Sequence, residues 1–412
     1  MRRPAYMPLP TTCNNRPRLA SLISLQYYGK PLGMALLLGL GIVLSIRRAR
    51  ARPDVVRGPA QRWQELAPIP DALGVAGPFV GASGGALLLA GGANFPDNPP
   101  WEGGAKRWCD AVYALAAPRA KEWTLVGHLP KRLGYGVSAS WRGRLLCVGG
   151  SDSTAHHRTV LALRYRAGSG TLEEEHGPPL PVPLANAVGV LVHDVLYVAC
   201  GSTSPQATEA SSALWRLDLT NGLSGAEWEE LADCPGPGRV LPAIGWSSHS
   251  QQLLLVSGAK LLPTADGKGV TREFLRDAFA FSPAAGTWRA LQPPPRAIVA
   301  SPGPAIHVAH ARPTGGTTTT VGGASTTGGG VHLFLPGDDG AHFFEQAALK
   351  DRHPGFGTLL MRYHESEDRW STEEAGAEAF PQGASTMAYV FKQSCTFYSC
   401  NEPVGVIVSF VE

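Results

Sequence analysis

The chain has 412 residues, of which 49 are glycine and 35 proline, while charged side chains make up only 17%. Such heavy punctuation with so few charges suits many short strands joined by turns and excludes a helical bundle. The formal net charge of +3 rests on the N-terminal arm, where Arg2, Arg3, Arg16, Arg18, Lys30, Arg47, Arg48, Arg50 and Arg52 all precede Pro53; the remainder is not basic, which argues against a nucleic-acid partner.

In chain order, residues 1–54 read as a basic arm around one apolar run, Leu32–Ile46 (LGMALLLGLGIVLSI). Its fifteen residues fall short of the roughly 20 needed to cross a bilayer as a helix and fit the apolar core of a signal sequence better. No small-x-small cleavage site precedes the arginines at 47–52, so a retained signal anchor is the first reading. A cleaved signal peptide and an uncleaved targeting arm are the alternatives. Each places the protein at a membrane or in the secretory pathway, with 32–46 as a candidate tether.

From residue 55 onward a unit repeats. Gly74–Gly104 opens with a small-residue strand, turns at Ser83-Gly84-Gly85, and continues as an apolar run closed by Gly91-Gly92. An alternating strand, Ala111–Leu115, and then Trp123 complete it. Further apolar runs end at Gly150, Gly201 and Gly258, and a fifth near Gly340. Trp63 and Trp123 are 60 residues apart, as are Trp228 and Trp288, and Leu172 stands where the intervening Trp is missing. Alternating segments (AVYALAAP, VLALRYRA, ALWRLDLT, AFAFSPAAG, LLMRYHESEDRW) supply the third strands. An apolar run ending in a Gly pair, an alternating strand and a Trp together mark a Kelch-type propeller blade of four antiparallel strands. The expected fold is therefore an all-β, six-bladed Kelch-type propeller over 55–412. Its last blade (380–412) is degenerate and closed by an N-terminal strand at 61–67, so that no sheet edge stays open. The Gly/Thr-rich tract 315–330 reads as a surface loop.

Three weaker signals have structural readings. Gly81-Ala82-Ser83-Gly84-Gly85 fits a nucleophile-elbow pattern, but a strand follows it rather than a helix, so it is a hairpin turn. His156 and His157 are neighbours, and neighbours on a strand face opposite ways, so they do not chelate one metal. Cys147 and Cys200 sit inside apolar runs as free buried thiols, and Cys395 and Cys400 lack the spacing of a zinc site. These residues give no reason to expect a metal site.

Four segments go beyond generic Kelch marks: GVAGPFVGASGGALLLAGGANFPDNPPWEGG (74–104), LPKRLGYGVSASWRGRLLCVGGSD (129–152), CPGPGRVLPAI (234–244) and LRDAFAFSPAAGTWRAL (275–291). In this order they resemble cyclically permuted members of the N-acetylneuraminate epimerase (sialate mutarotase) family. The resemblance implies interconversion of the α and β anomers of a free sialic acid without a metal or cofactor, with an acidic sugar such as N-acetylneuraminate as partner.

That chemistry needs one group to take the anomeric proton and another to serve the ring oxygen. It also needs a cation, preferably Arg, for the carboxylate. Loops before the innermost strands offer Arg132, Asn186, Arg239 and Arg296; loops leaving the Gly pairs offer Asn94 and Asp152; Tyr135 begins an inner strand and has a hydroxyl to donate. The family carries its catalytic Glu in a last-blade motif, Gly-Glu-x-x-Pro-Gly-x-Arg. Here the corresponding stretch is SCNEPVGVIVSFVE, so Glu402 stands near the Glu position, with Asn401 for the Gly and no Arg downstream. The alternative function is a non-catalytic Kelch propeller that binds a sugar or a protein partner.

Overall fold

The computed structural model describes residues 63–99, 102–267, 269–308, 330–349, 352, 357–374, 388–391 and 405–408. The basic arm, the run 32–46, Glu402, Cys395 and Cys400 lie outside the described residues. Contacts divide the chain into Met1–Arg50 and Ala51–Glu412, and every described residue belongs to the second unit.

That unit is a Kelch-type β-propeller. Five sheets are four-stranded antiparallel meanders. Blade 1 consists of Phe79–Ser83, Ala86–Ala90, Ala111–Leu115 and Thr124–His128. Blade 2 consists of Val137–Trp141, Arg144–Val148, Val160–Arg166 and Thr171–His176. Blade 3 consists of Val188–Val192, Val195–Ala199, Leu214–Asp218 and Trp228–Leu231. Blade 4 consists of Ala243–Ser247, Gln252–Val256, Ala278–Ser282 and Thr287–Ala290, and blade 5 of Ile306–Val308, Val331–Phe334, Leu359–His364 and Arg369–Glu374. A sixth sheet joins strands from both ends of the chain, in the order Trp63–Glu65, Gly405–Val408, Ala388–Phe391. Its first two strands pair in parallel. In a four-stranded meander the fourth strand runs parallel to the second but is separated from it by the third. Among the described residues no such third strand stands between Trp63–Glu65 and Gly405–Val408.

The core is a set of wedges between neighbouring blades rather than one central mass. Phe79 and Leu88 of blade 1 share a cluster with Leu145 and Leu161 of blade 2. Trp141 of blade 2 packs with Leu196, Trp215 and Leu217 of blade 3, and the pattern continues through blades 3 and 4 and blades 4 and 5. Alternation explains this arrangement, since both faces of each inner strand meet a neighbouring sheet.

The recurring Trp is an interblade tie. The indole N–H donates to a carbonyl on the preceding connection: Trp123 to Ala67 at 2.7 Å, Trp228 to Pro178 at 3.0 Å, Trp288 to Ala232 at 2.8 Å and Trp370 to Gln292 at 2.7 Å. In blade 2 Leu172 takes this place on the outer strand and fills the space beside Gly127 by packing alone.

The Gly pairs tie the blades near the axis. Gly92 has φ +95°, and its N–H donates to Leu133 O in the next blade's approach at 2.8 Å. Gly150 and Gly201 repeat the bond, to Leu184 O and Arg239 O. A Cβ on Gly92 would lie 2.9 Å from the Val75 side chain, so both sterics and φ demand glycine there.

Candidate functional site

Around the axis, one residue per blade on the approach to the inner strand takes a left-handed conformation. These are Gly77 (φ +61°), Tyr135 (+60°), Asn186 (+55°), Leu241 (+53°) and Ala300 (+55°). They are joined blade to blade by backbone hydrogen bonds. Tyr135 N–H donates to Gly77 O at 2.7 Å, Asn186 to Tyr135 O at 2.9 Å, Leu241 to Asn186 O at 2.8 Å and Ala300 to Leu241 O at 3.0 Å. For the four residues with a Cβ this conformation costs about 1–2 kcal/mol each. The hydrogen-bonded hoop holds them there, and all five line the same central cavity. Glycine is required at 77 because a Cβ would stand 2.6 Å from the Tyr135 ring.

That cavity is a funnel of about 840 Å³, large enough for a sugar. Its wall is apolar beside blades 4 and 5, at Leu241, Pro242, Ala300 and Pro302, and polar beside blades 1 to 3, at Lys106, Tyr135, Asp152, His156 and Asn186. Two hairpins inserted between second and third strands bring further side chains to it. Ala93–Asn94 pairs with Arg107–Trp108, and Ala259–Pro263 pairs with Val270–Phe274.

From the first hairpin, Lys106 donates from Nζ to the Tyr135 hydroxyl at 3.2 Å and lies over the Tyr135 ring, 4.6 Å from its centroid. Trp108 meets that ring edge-on at 5.6 Å. From the second, Arg272 reaches the funnel with its guanidinium over Phe343 at 5.6 Å. Burial pulls Arg272 below the ordinary arginine value, and Asp338 and Tyr135 nearby work against that shift. Among the described residues neither Lys106 nor Arg272 has a carboxylate within ion-pair distance.

Of the residues expected from sequence, the structure brings Tyr135, Asp152 and Asn186 to the funnel wall. Asp152 is held ionised, well below the usual carboxylate range. Burial opposes this, but bonds from the Thr154 N–H and hydroxyl, the Ala155 N–H and His157 outweigh it. It is a braced loop carboxylate rather than a free base. His156 and His157 do part company, His156 turning to Ser202 Oγ at 3.1 Å and His157 to Asp152 at 2.7 Å.

The other four described candidates are not among the residues lining the funnel. Arg239 is wholly buried and spends all five N–H groups internally: Nε to Pro237 O, Nη1 to Ser257 O and Asp277 Oδ1 (2.5 Å), and Nη2 to Pro235 O and Asp277 Oδ2 (3.0 Å). It clamps the seam of blades 3 and 4. Arg132 projects into solvent, 3.7 Å from Asp110, and Arg296 does likewise at 3.1 Å from Asp339. Asn94 is buried, with Nδ2 donating to Gly74 O and Asp71 and Oδ1 accepting from Arg107. The physical reason is position. The arginines stand two to four residues before the hoop residue, on the leg that runs inward between blades, whereas the hoop residues and those just after them line the funnel.

Sequence reasoning passed over Lys106, Trp108, His156 and Arg272. The available signal was the length of the loops between second and third strands, with the alternating halves AKLLP and VTREF of the blade 4 hairpin. Among the described residues no group of three or more His, Cys, Asp or Glu side chains is placed to hold a metal ion.

Comparison with known proteins falls on the same region. The family model described as N-acetylneuraminate epimerase matches residues 45–170. This chain resembles the N-acetylneuraminate epimerases. An N-acetylneuraminate epimerase of Brucella suis is 36% identical over 146 residues, covering 32% of this chain and 37% of the relative. One from Haemophilus influenzae is 30% identical over 143 residues, covering 31% and 37%. The chain thus spans little more than a third of the length of the curated relatives it matches. A solved structure titled "Structure of YjhT" aligns over 65% of this chain and 78% of its own at 14% identity, with a TM-score of 0.48. The epimerase-like stretch carries Lys106, Trp108, Tyr135, Asp152 and His156, whereas Asn186 and Arg272 lie beyond it.

Proposed function

We propose that the funnel binds a free acidic sugar of the N-acetylneuraminate type and interconverts its anomers. One observation carries this reading: two cations, Lys106 and Arg272, line the funnel with no carboxylate within ion-pair distance among the described residues, and Lys106 is bonded to the Tyr135 hydroxyl. A partly desolvated arginine fork with no carboxylate within ion-pair distance among the described residues suits a sugar carboxylate, since charge-assisted bidentate bonds strengthen where water is excluded. Asn186 and Tyr135 are at hand for hydroxyl groups, and the apolar arc Leu241–Pro242 and Ala300 suits an N-acyl methyl. The resemblance to the epimerases over blades 1 and 2 supports the same substrate class.

Anomer exchange opens and recloses a hemiketal, which needs proton transfer and no electron transfer. The test is NMR of freshly released α-N-acetylneuraminate. With the purified protein the α and β signals equilibrate faster than in buffer; exchange at the buffer rate would remove the catalytic reading. A second reading, a sugar-binding propeller without catalysis, is favoured by the altered motif around Glu402, and binding without exchange is its signature. The run 32–46 would, on either reading, tether the protein to a membrane or direct its export.

A further inference from the structure

One funnel side chain, His156, points to a role beyond carboxylate binding. It lines the funnel yet is only 8% exposed. Its Nε2 meets Ser202 Oγ at 3.1 Å, and Ser202 is itself fixed by two backbone bonds with Ala185. No hydrogen bond of normal geometry reaches Nδ1, which is buried without a partner among the described residues. Leaving such an atom unmatched costs about 1–3 kcal/mol, so it calls for a ligand or a role. Burial lowers the His156 pKa, with His157 adding to this and Asp152 and the Ala155 backbone opposing it, which favours the neutral ring. In the tautomer whose Nε2–H donates to Ser202 Oγ, the lone pair lies on Nδ1.

We propose that His156 is the base that takes the anomeric proton, with the Tyr135–Lys106 pair as the acid; this rests on the anomerase reading and names its catalytic groups. In ring opening, Nδ1 of His156 takes the proton of the anomeric hydroxyl, and the anomeric carbon forms a carbonyl. The bond from that carbon to the ring oxygen breaks, its electron pair going to the ring oxygen. The ring oxygen takes the Tyr135 hydroxyl proton, which the Lys106 ammonium makes good across the 3.2 Å bond. After rotation about the bond to the carbonyl carbon, closure on the other face reverses each transfer. No electron donor or acceptor is needed. The scheme assigns the base within the described funnel, without calling on Glu402.

The experiment follows the imidazole nitrogens of 15N-labelled protein by long-range 1H–15N spectra during titration with N-acetylneuraminate. Anomer exchange is measured alongside for His156→Gln. The expected result is that sugar shifts the His156 Nδ1 signal. In addition, His156→Gln loses about a hundredfold in exchange rate while its affinity stays within about threefold. A His156 signal unmoved at saturation, with Tyr135 and Asn186 signals displaced, overturns this proposal alone. Wild-type exchange by His156→Gln does so too. If no signal in the funnel moves, the funnel reading itself fails. Should His156→Gln not fold, His156→Asn and the wild-type titration decide the matter.

Discussion

Arg239 and Arg272 lie in the same propeller, one beneath the surface between blades 3 and 4 and the other over Phe343 at the funnel. The first has every donor bonded and Asp277 as its counter-ion; the second has no carboxylate within reach among the described residues. Arg239→Ala is therefore expected to destabilise the fold by about 3 kcal/mol, since it strips a buried ion pair and leaves several carbonyls unbonded. Its affinity for acidic sugars, measured below the melting transition, should stay unchanged. A weakened affinity with an unchanged Tm would reverse the assignment. Sequence reasoning could see that arginine recurs before the inner strands but not where each side chain points. That direction is set two to four residues later, by the left-handed residue that turns the chain at the axis, and four of those five positions carry Tyr, Asn, Leu and Ala rather than a telltale glycine.

At the level of strands and loops, the seam between blades 4 and 5 holds a second buried polar group, unrelated to the funnel. Glu365 follows the third strand of blade 5 and accepts from Ser247 Oγ at 2.6 Å, with His332 Nε2 3.3 Å away. Burial pushes its pKa up, but the hydrogen bonds with His332 and Ser247 outweigh that and hold it at about 2 against the usual 4.5. The folded-state value lies below the unfolded one. The contribution to stability, up to about 3 kcal/mol, is thus fully present above pH 4.5 and lost as the pH falls toward 2. Melting temperature followed from pH 6 to pH 2.5 should fall less steeply in Glu365→Gln than in the wild type. Parallel curves would show that this carboxylate does not drive the acid transition. Strand order was readable because each blade repeats the same punctuation. The inserted hairpins were harder, since Ala259–Pro263 and Val270–Phe274 carry no motif, and their reach over the funnel depends on packing such as that of Phe274 on Phe343 at 5.3 Å.

Over the whole molecule, the propeller gathers side chains that are distant in sequence onto one axis. The Trp marks and apolar-plus-Gly runs pointed to five of the six expected blades, and these match the five four-stranded sheets, with Leu172 in a Trp place; among the described residues the C-terminal stretch contributes Ala388–Phe391 and Gly405–Val408 to the three-stranded sheet that Trp63–Glu65 joins. The candidate site was legible in part. The epimerase-like segments in blades 1 and 2 suggested an acidic sugar and contain Tyr135 and Asp152, which line the funnel, while the cation from blade 4 emerged only from the fold. The most direct measurement is a calorimetric titration of the protein with N-acetylneuraminate and with its uncharged methyl ester, repeated with Arg272→Gln. The account predicts that the acid binds the wild type at least about tenfold more tightly than the ester and that Arg272→Gln erases most of this preference. Equal binding of acid and ester, or a preference untouched by Arg272→Gln, would contradict it.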